Sequence, residues 1–239
     1  MFTEYFTKQA TTLEKALKSN LQQRGVQLPA REKDINVFQE FYDFLNEHIP
    51  GGYTLATGKV RNKKHLLNRN CDLLIYKKWC QRYLELTGGY VLSDSLYAFM
   101  SLEADLNAAN LQTHANLTRA MKSLYMGDPD TEEQNIIPLY SVMFAYDTSS
   151  DMPALRESLQ NFSREKEIPV NQEIDLICVL NKGLMIKDWE SAGGYKIVET
   201  GNDTLMWFYI LLIEYLDRDG EFELNLRDYI KNTREYNEA

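Results

Sequence analysis

Apolar residues recur every three or four positions in five stretches of the chain, a spacing typical of helices that bury one face. Glycine and proline mark the ends of several stretches, as Pro50 and the two glycines after it do for the second one. The pattern predicts helices over residues 5–21, 33–48, 107–125, 152–165 and 202–216, and a final helical turn over 225–231.

Short runs rich in valine, isoleucine, threonine and aromatic residues lie between these helices, and such runs are typical of strands. They predict strands over residues 53–61, 71–76, 96–102, 138–146, 174–180, 184–187 and 195–198. We find no internal repeat and no linker-like stretch in the sequence. The order helix, three strands, helix, strand, helix, strand predicts a single α/β domain over residues 1–239, with a mixed central sheet flanked by helices.

The composition is that of an ordinary globular protein. Hydrophobic residues make up 44% of the 239 positions, and 35 acidic against 26 basic residues give a net charge of −9. The most apolar run, 205–216, is too short to span a bilayer and contains Glu214, and the N-terminus lacks the pattern of a secretory signal. We therefore expect a cytoplasmic protein without a membrane partner. Three cysteines without a CxxC pair predict reduced thiols.

Two acidic residues interrupt predicted strands at positions where a packed strand is normally apolar. Asp72 begins the run CDLLIY, and Glu103 follows the run LYAFMSL. A buried carboxylate is costly unless it is paired or binds a cation. Strand alternation also puts Glu103 and Asp105 on one face, with the carbonyl of Ala104 between them. Two carboxylates, one carbonyl and water suit Mg²⁺, although acids at solvated sheet edges are the alternative explanation.

A strip of basic residues precedes Asp72, and no acidic residue lies between Glu47 and Asp72. We call these residues the basic strip: Lys59, Arg61, Lys63, Lys64 and Arg69, with His65 among them. The net charge argues against a protein that coats DNA through its overall charge, because counterion release requires many cations facing phosphate. A segregated basic strip beside Asp72 nevertheless indicates contact with nucleic acid, with a solvated loop as the alternative.

The order of the elements adds to these residues. A helix, a strand meander with an aspartate on its second strand and a glutamate ending its third, and a further helix resemble the PD-(D/E)XK restriction-endonuclease fold. More narrowly, the segments INVFQEFYDFLNEHIPGGYTLATGKV, CDLLIY, SLYAFMSLEADLNA and IDLICVLNKG are similar to those of NucC-type endonucleases, CBASS effectors of anti-phage defence. This resemblance divides the chain into an N-terminal helical extension (1–30), a motif-bearing core (33–125) and the remainder of the core with the C-terminal helices (126–239).

The resemblance implies a metal-dependent endonuclease that cuts double-stranded DNA with Mg²⁺ or Mn²⁺, assembles as a homotrimer and is activated by cyclic tri-adenylate. The family's strand aspartate corresponds to Asp72 and the glutamate of its Glu-x-Lys motif to Glu103, so the implied metal ligands are these two residues and Ala104. The motif lysine is replaced by Asp105. Many enzymes of this fold add an acid from the preceding helix, and the candidates are Asp34 and Glu40.

The exchange of lysine for Asp105 leaves two interpretations open. In the family the lysine lowers the pKa of the attacking water and neutralises developing charge, whereas a carboxylate repels phosphate. Activity survives if Asp105 serves as a further metal ligand, or if a lysine elsewhere reaches the site, for which the candidates are Lys59, Lys63 and Lys64. Otherwise the chain is a catalytically inactive relative that binds nucleic acid, a cyclic nucleotide signal or a protein partner.

The resemblance also points to a signal-binding region. A basic residue is expected just before the first strand, where this chain has Gly51 and Gly52. An aromatic side chain that stacks on adenine is expected after the second strand, and the candidates there are Trp79, Arg82 and Tyr83. An aromatic residue packed beneath a loop is the alternative explanation for this position.

Overall fold

The computed structural model describes residues 2–24, 35–126, 139–189, 194–217, 220 and 225–230. The α-helices within these ranges are α1 (Phe2–Arg24), α2 (Gln39–His48), α3 (Ala108–Met126), α4 (Met152–Glu165) and α5 (Thr204–Leu216). Shorter 3₁₀ helices include Ile35–Phe38, Lys78–Tyr83, Gly201–Asp203 and Leu226–Tyr229. The polar stretch that follows α3 lies outside the described residues.

The strands of the described residues are β1 (Tyr53–Gly58), β2 (Val60–Arg61), β3 (Cys71–Lys77), β4 (Val91–Leu92), β5 (Leu96–Leu106), β6 (Tyr140–Thr148), β7 (Leu176–Val179), β8 (Gly183–Asp188) and β9 (Gly194–Glu199). Seven of them form one mixed sheet in the order β1-β3-β5-β6-β7-β8-β9. The central strands β5, β6 and β7 are parallel, and the outer pairs are antiparallel. The predicted mixed sheet flanked by helices is confirmed.

Helices cover both faces of this sheet. α1, α2 and α5 pack on one face, where the rings of Phe41 and Phe208 lie 4.2 and 5.1 Å from the ring of Phe144 in β6. α3 and α4 pack on the other face, where Met121 of α3 and Leu155 of α4 belong to two further buried clusters. Complete burial of a side chain such as Phe144 stabilises the fold by about 1.5–3 kcal/mol.

The predicted helix at 152–165 agrees with α4 at both ends. Its start is fixed by Asp151, whose side chain accepts a hydrogen bond from the Ala154 amide at 2.6 Å, and by Pro153 in the first turn. The predicted helix at 202–216 begins instead with the 3₁₀ turn at Gly201–Asp203 before α5. The last predicted helical turn is the 3₁₀ turn at Leu226–Tyr229.

Two predicted strands differ from the structure in ways that affect the site. The strand predicted over 53–61 is divided at Gly58, whose φ of 124° favours glycine, and β2 turns away to pair with β4. The strand predicted over 96–102 continues to Leu106 as β5 because its pairing with β6 extends to that residue. The acids at positions 103 and 105 therefore lie within a paired strand and not beyond its end.

A buried charge network joins α3 to the strands near the start of β7. Lys122 of α3 donates to a carboxylate oxygen of Asp175 at 2.6 Å and to the carbonyl of Glu173 at 2.7 Å. The same Asp175 oxygen accepts from the Ser141 amide at 2.7 Å. Lys187 of β8 lies 3.5 Å from the Glu173 carboxylate. Burial lowers the pKa of Lys122 and raises that of Asp175, so the network depends on close pairing.

The three cysteines are buried and not in disulfides, as the sequence predicts. Burial raises the pKa of Cys71 to about 12 and that of Cys178 well above its ordinary value. The pKa of Cys80 is also raised by burial. Among the described helices, none is both long and apolar enough to cross a membrane.

Candidate functional site

Asp72 begins β3 at the point where β3 and β5 stop pairing. The ladder between them ends at Leu73 and Met100, and one residue further along the Asp72 carboxylate accepts the Leu102 amide at 2.9 Å. The side chain thus bonds a backbone amide of β5 just beyond the last pair of the ladder. This bond holds the half-buried carboxylate of Asp72 beside the residue that follows Leu102, which is Glu103.

Glu103, Ala104 and Asp105 are the last residues of β5 before Leu106. Glu103 and Ala104 are half-buried and Asp105 is exposed. Leu74 and Phe99 are register partners in the buried cluster on the α3 side of the sheet. Side-chain alternation from Phe99 assigns Glu103 to that same side, as it does Ser101, which contacts His114 of α3 at 2.7 Å. Alternation does not assign Asp72 and Asp105, because their neighbours Cys71 and Leu106 also lie in the clusters against α3. The structure therefore brings the predicted site residues to one region of the sheet, at the end of β5.

The residues present fit a hydrated magnesium site better than a fully protein-ligated one. Among the described residues, no group of three or more His, Cys, Asp or Glu side chains could hold a metal ion. Mg²⁺ keeps several waters and is commonly bound through one or two carboxylates. The half-buried acids Asp72 and Glu103, with the nearby carbonyl of Ala104, match that donor set.

The neighbouring strand β6 adds an acid, and the turn between β7 and β8 adds a lysine, neither of which the sequence analysis singled out. Asp147 of β6 is the register partner of Asp105, and its carboxylate lies 3.0 Å from the ammonium of Lys182. Desolvation raises the pKa of Asp147. Hydrogen bonds from Lys182 and from the Thr148 amide, with the charges of Lys182 and Lys18, outweigh this effect and leave the pKa below its ordinary value.

Asp147 and Lys182 both lie outside the predicted strands, and neither is an acid that interrupts an apolar run. The predicted strand ends at residue 146, and Lys182 falls in the turn between two predicted strands. A signal was present in the sequence, because an acid directly after an apolar strand and a lysine in a tight turn both favour the same sheet edge. Their juxtaposition depends on the parallel pairing of β5 with β6, which the sequence does not specify.

Glu40 is the helix acid that can be placed. It is exposed in the first turn of α2, and its charge adds to burial in raising the pKa of Tyr146, which lies in β6 near the end of that strand. The carboxylate of Glu40 therefore lies close enough to act electrostatically on β6, the strand next to β5. Asp34, the other candidate, lies outside the described residues.

The basic strip runs along β2 and the loop that leads into β3. Lys59 is half-buried and donates to the Asn68 side chain at 2.9 Å. The other members are exposed: Arg61, Lys63, Lys64, His65 and Arg69. Asn62 orders the loop, because its carboxamide oxygen accepts the amides of the residues at 64 and 65 and its nitrogen donates to the Leu124 carbonyl. The strip is thus presented to solvent on an ordered loop that ends three residues from Asp72.

The predicted signal-binding residues lie on the 3₁₀ helix Lys78–Tyr83. Trp79 is 63% exposed and Tyr83 43% exposed, and their rings meet edge to face at 6.0 Å. Arg82 between them is exposed as well. Trp79 is therefore not packed beneath a loop. The Lys78 amide donates to the Gly52 carbonyl at 2.8 Å, so the two segments expected to recognise a signal are adjacent.

No protein family matches the chain, and no curated protein sequence does either. Solved structures are similar to it. NucC of E. coli MS115-1 in its cAAA-bound form matches with a TM-score of 0.68 and 14% identity, covering 92% of this chain and 91% of that one. NucC of P. aeruginosa ATCC27853, cAAA-bound, matches with a TM-score of 0.65 and 12% identity, covering 90% and 91%. The apo form of the E. coli protein matches with a TM-score of 0.63 and 14% identity, covering 87% of this chain and 90% of that one. The chain therefore has the fold of NucC, and the resemblance is confirmed at that level.

Proposed function

We propose that this chain is a NucC-like, metal-dependent endonuclease that cuts double-stranded DNA in anti-phage defence, acting in the cytoplasm. The observation that carries the proposal is the hydrogen bond from the Leu102 amide to Asp72. It holds Asp72 at the amide of the residue that precedes Glu103, the other acid of the proposed motif, on a fold shared with NucC over nine-tenths of the chain. A structural role alone would not require acids at both positions.

The residues assigned to a Mg²⁺ or Mn²⁺ ion are Asp72, Glu103 and the carbonyl of Ala104. When bound, such an ion polarises the phosphate and lowers the pKa of a coordinated water. The chain's own contribution is to position the donors. Asp72 is held by a backbone amide of β5, and Glu103 is half-buried on the part of β5 that pairs with β6, so the backbone that carries both carboxylates is ordered before the ion binds.

We assign the binding of DNA to the basic strip. Its exposed cations lie on the loop that leads directly to Asp72, and cations facing phosphates gain affinity through counterion release. The remainder of the chain is acidic, since the net charge is −9. This segregation favours approach of the duplex along the strip and toward the site. By the same resemblance we propose a homotrimer as the assembled form.

A cyclic nucleotide is the proposed activating ligand, with cyclic tri-adenylate as the first compound to test. Two of the similar NucC structures are described as cAAA-bound. In this chain the exposed rings of Trp79 and Tyr83 offer stacking surfaces for adenine, and Arg82 offers a cation for phosphate. The turn at Gly51 and Gly52 supplies no side-chain charge, so recognition relies on the 3₁₀ helix.

A second candidate function is a nuclease-fold protein without catalysis that binds nucleic acid, a cyclic nucleotide or a protein partner. The observation that favours it is Asp105, which brings a negative charge to the position where the family motif has a lysine. Asp105→Lys separates the two candidates. If the substitution creates cleavage that the natural chain lacks, the natural chain is an inactive relative.

The direct test is degradation of plasmid DNA by the purified chain with Mg²⁺ or Mn²⁺, with and without cyclic tri-adenylate. Glu103→Gln is expected to reduce the rate by about 10²–10³-fold, the usual effect of removing one preorganised electrostatic group. Glu199→Gln is the matched control, because Glu199 is an exposed glutamate at the end of another strand, β9. A chain that leaves the plasmid intact under every combination of metal and cyclic nucleotide would refute the proposal.

A further inference from the structure

Two aspartates lie opposite each other near the ends of the central parallel strands. Asp105 of β5 and Asp147 of β6 are register partners, and paired strands are about 4.8 Å apart. Like charges placed directly across two strands destabilise a sheet. The pairing is therefore informative, because a cation close to these acids relieves the repulsion between them.

Lys182 is a cation beside one of these acids, Asp147, and hydrogen bonds hold it in place. Its ammonium lies 3.0 Å from the Asp147 carboxylate and also donates to the Thr148 carbonyl. Thr148 in turn donates from its hydroxyl to the Leu106 carbonyl at 2.6 Å, one residue beyond Asp105. The lysine is thus connected by hydrogen bonds to the strand that carries the site.

The turn that carries Lys182 has a fixed conformation. Asn181 adopts a φ of 60°, in the left-handed region, and its side chain donates to Glu14 of α1 at 2.6 Å. The Lys182 amide donates to the Val179 carbonyl at 3.0 Å, which closes the turn. A lysine on such a turn loses less freedom on binding an anion than a lysine on a mobile loop. The side chain is 40% exposed, so it remains accessible to a ligand.

We propose that Lys182 supplies the positive charge that the motif lacks because Asp105 replaces its lysine. We further propose that Lys182 contacts a phosphate of the DNA next to the scissile bond. This inference rests on the proposed nuclease function. In the hydrolysis, the oxygen of water bonds to phosphorus, one P–O bond breaks, and the proton released by the water ends on the departing oxygen. Lys182 exchanges no proton in this step. Its ammonium stabilises the negative charge that builds on the phosphate oxygens.

The test compares Lys182→Ala with Lys196→Ala. Lys196 is a matched control, since it is an exposed strand lysine that lies 3.6 Å from the carboxylate of Asp188 elsewhere on the sheet. In plasmid cleavage, Lys182→Ala is expected to lose about 10²-fold in rate, whereas Lys196→Ala stays within about twofold of the natural chain. Adding Asp105→Lys to Lys182→Ala is expected to restore most of the lost rate, because it returns a cation to the position that the motif uses.

A second readout does not depend on cleavage. In the Glu103→Gln background, DNA binding is measured against salt concentration, and Lys182→Ala is expected to reduce the slope by about one counterion. If the natural chain cuts DNA and Lys182→Ala cuts it equally fast, the inference is wrong and the proposed function stands. If the natural chain neither cuts nor binds DNA, the proposed function is wrong and the inference is refuted with it.

Discussion

Removing the ammonium of Lys122 tests how the buried charge network contributes to stability. The side chains of Lys122 and Asp175 are 1% and 3% exposed, and their charged atoms lie 2.6 Å apart. In Lys122→Met the Asp175 carboxylate keeps its bond from the Ser141 amide but loses the cation that is hydrogen-bonded to it, and the Glu173 carbonyl loses a donor. Breaking one side of a buried pair costs about 3–5 kcal/mol. That is a large part of the 5–15 kcal/mol typical of a folded domain.

The assay is urea unfolding at a fixed protein concentration, followed by circular dichroism, with a double-mutant cycle. Asp175→Asn alone is also expected to destabilise, because it leaves the ammonium buried without its counter-charge. Lys122→Met with Asp175→Asn is expected to recover to within about 2 kcal/mol of the natural chain, since no unpaired charge remains. Costs that simply add in the double variant would contradict the reasoning.

Lys166→Met is the matched control for this experiment. Lys166 lies 3.5 Å from the carboxylate of Glu165 at the end of α4, and both side chains are about half or more exposed, at 49% and 73%. An exposed pair of this kind contributes about 0–1 kcal/mol. A loss of stability in Lys166→Met as large as that in Lys122→Met would show that the burial of the pair is not what matters.

Three further predictions concern single positions. Gly183→Ala is expected to lower the free energy of unfolding, measured in urea, by about 1–3 kcal/mol. The reason is that the added Cβ would lie 2.4 Å from the backbone carbonyl oxygen of Val198 on the paired strand. Gly52→Ala is the control, because nothing lies within 4 Å of a Cβ added there. Asp151→Ala is expected to cost about 1 kcal/mol through loss of the cap of α4, and Asp151→Asn to retain most of the stability in the same urea measurement. The pKa of Asp147 in the folded chain lies below its ordinary value of 3.8, which we take for the unfolded chain. Its ion pair therefore stabilises the fold fully above that ordinary pKa, and this stability is lost as pH falls through the folded pKa. Asp147→Asn should therefore flatten the acid limb of a pH-dependent thermal unfolding series, and an unchanged limb would contradict the assignment.

The sequence predicted the elements where local signals agree. α4 matches its predicted bounds because helical periodicity, an N-cap aspartate and a proline in the first turn coincide. β5 was predicted four residues too short because the acids at 103 and 105 interrupt its apolar run, whereas the structure continues the strand through pairing with β6. The break at Gly58 was missed because threonine and valine continue on both sides of it.

The residues of the candidate site likewise fall into those that local sequence signals predicted and those that depend on strand pairing. The site residues Asp72 and Glu103 were predicted from acids in apolar runs together with the family resemblance, and in the structure Asp72 accepts the amide of Leu102, the residue before Glu103. The pairing of Asp105 with Asp147 could not be predicted, because it depends on which strands are neighbours and in which register. Lys122 illustrates the same limit: its helix was predicted, but a lysine on that helix reads as a solvent-facing residue unless its buried partner is known.

The burial of the three thiols makes the chain convenient to label. A maleimide reagent reacts with thiolate, and the raised pKa values of Cys71, Cys80 and Cys178 keep that form scarce at neutral pH. A cysteine introduced at an exposed position such as Lys166 can therefore carry a single nitroxide per chain without removal of the native residues. Pulsed EPR on the labelled protein then gives the spacing between copies, and a single distance with three-spin coupling would distinguish a ring of three from a dimer.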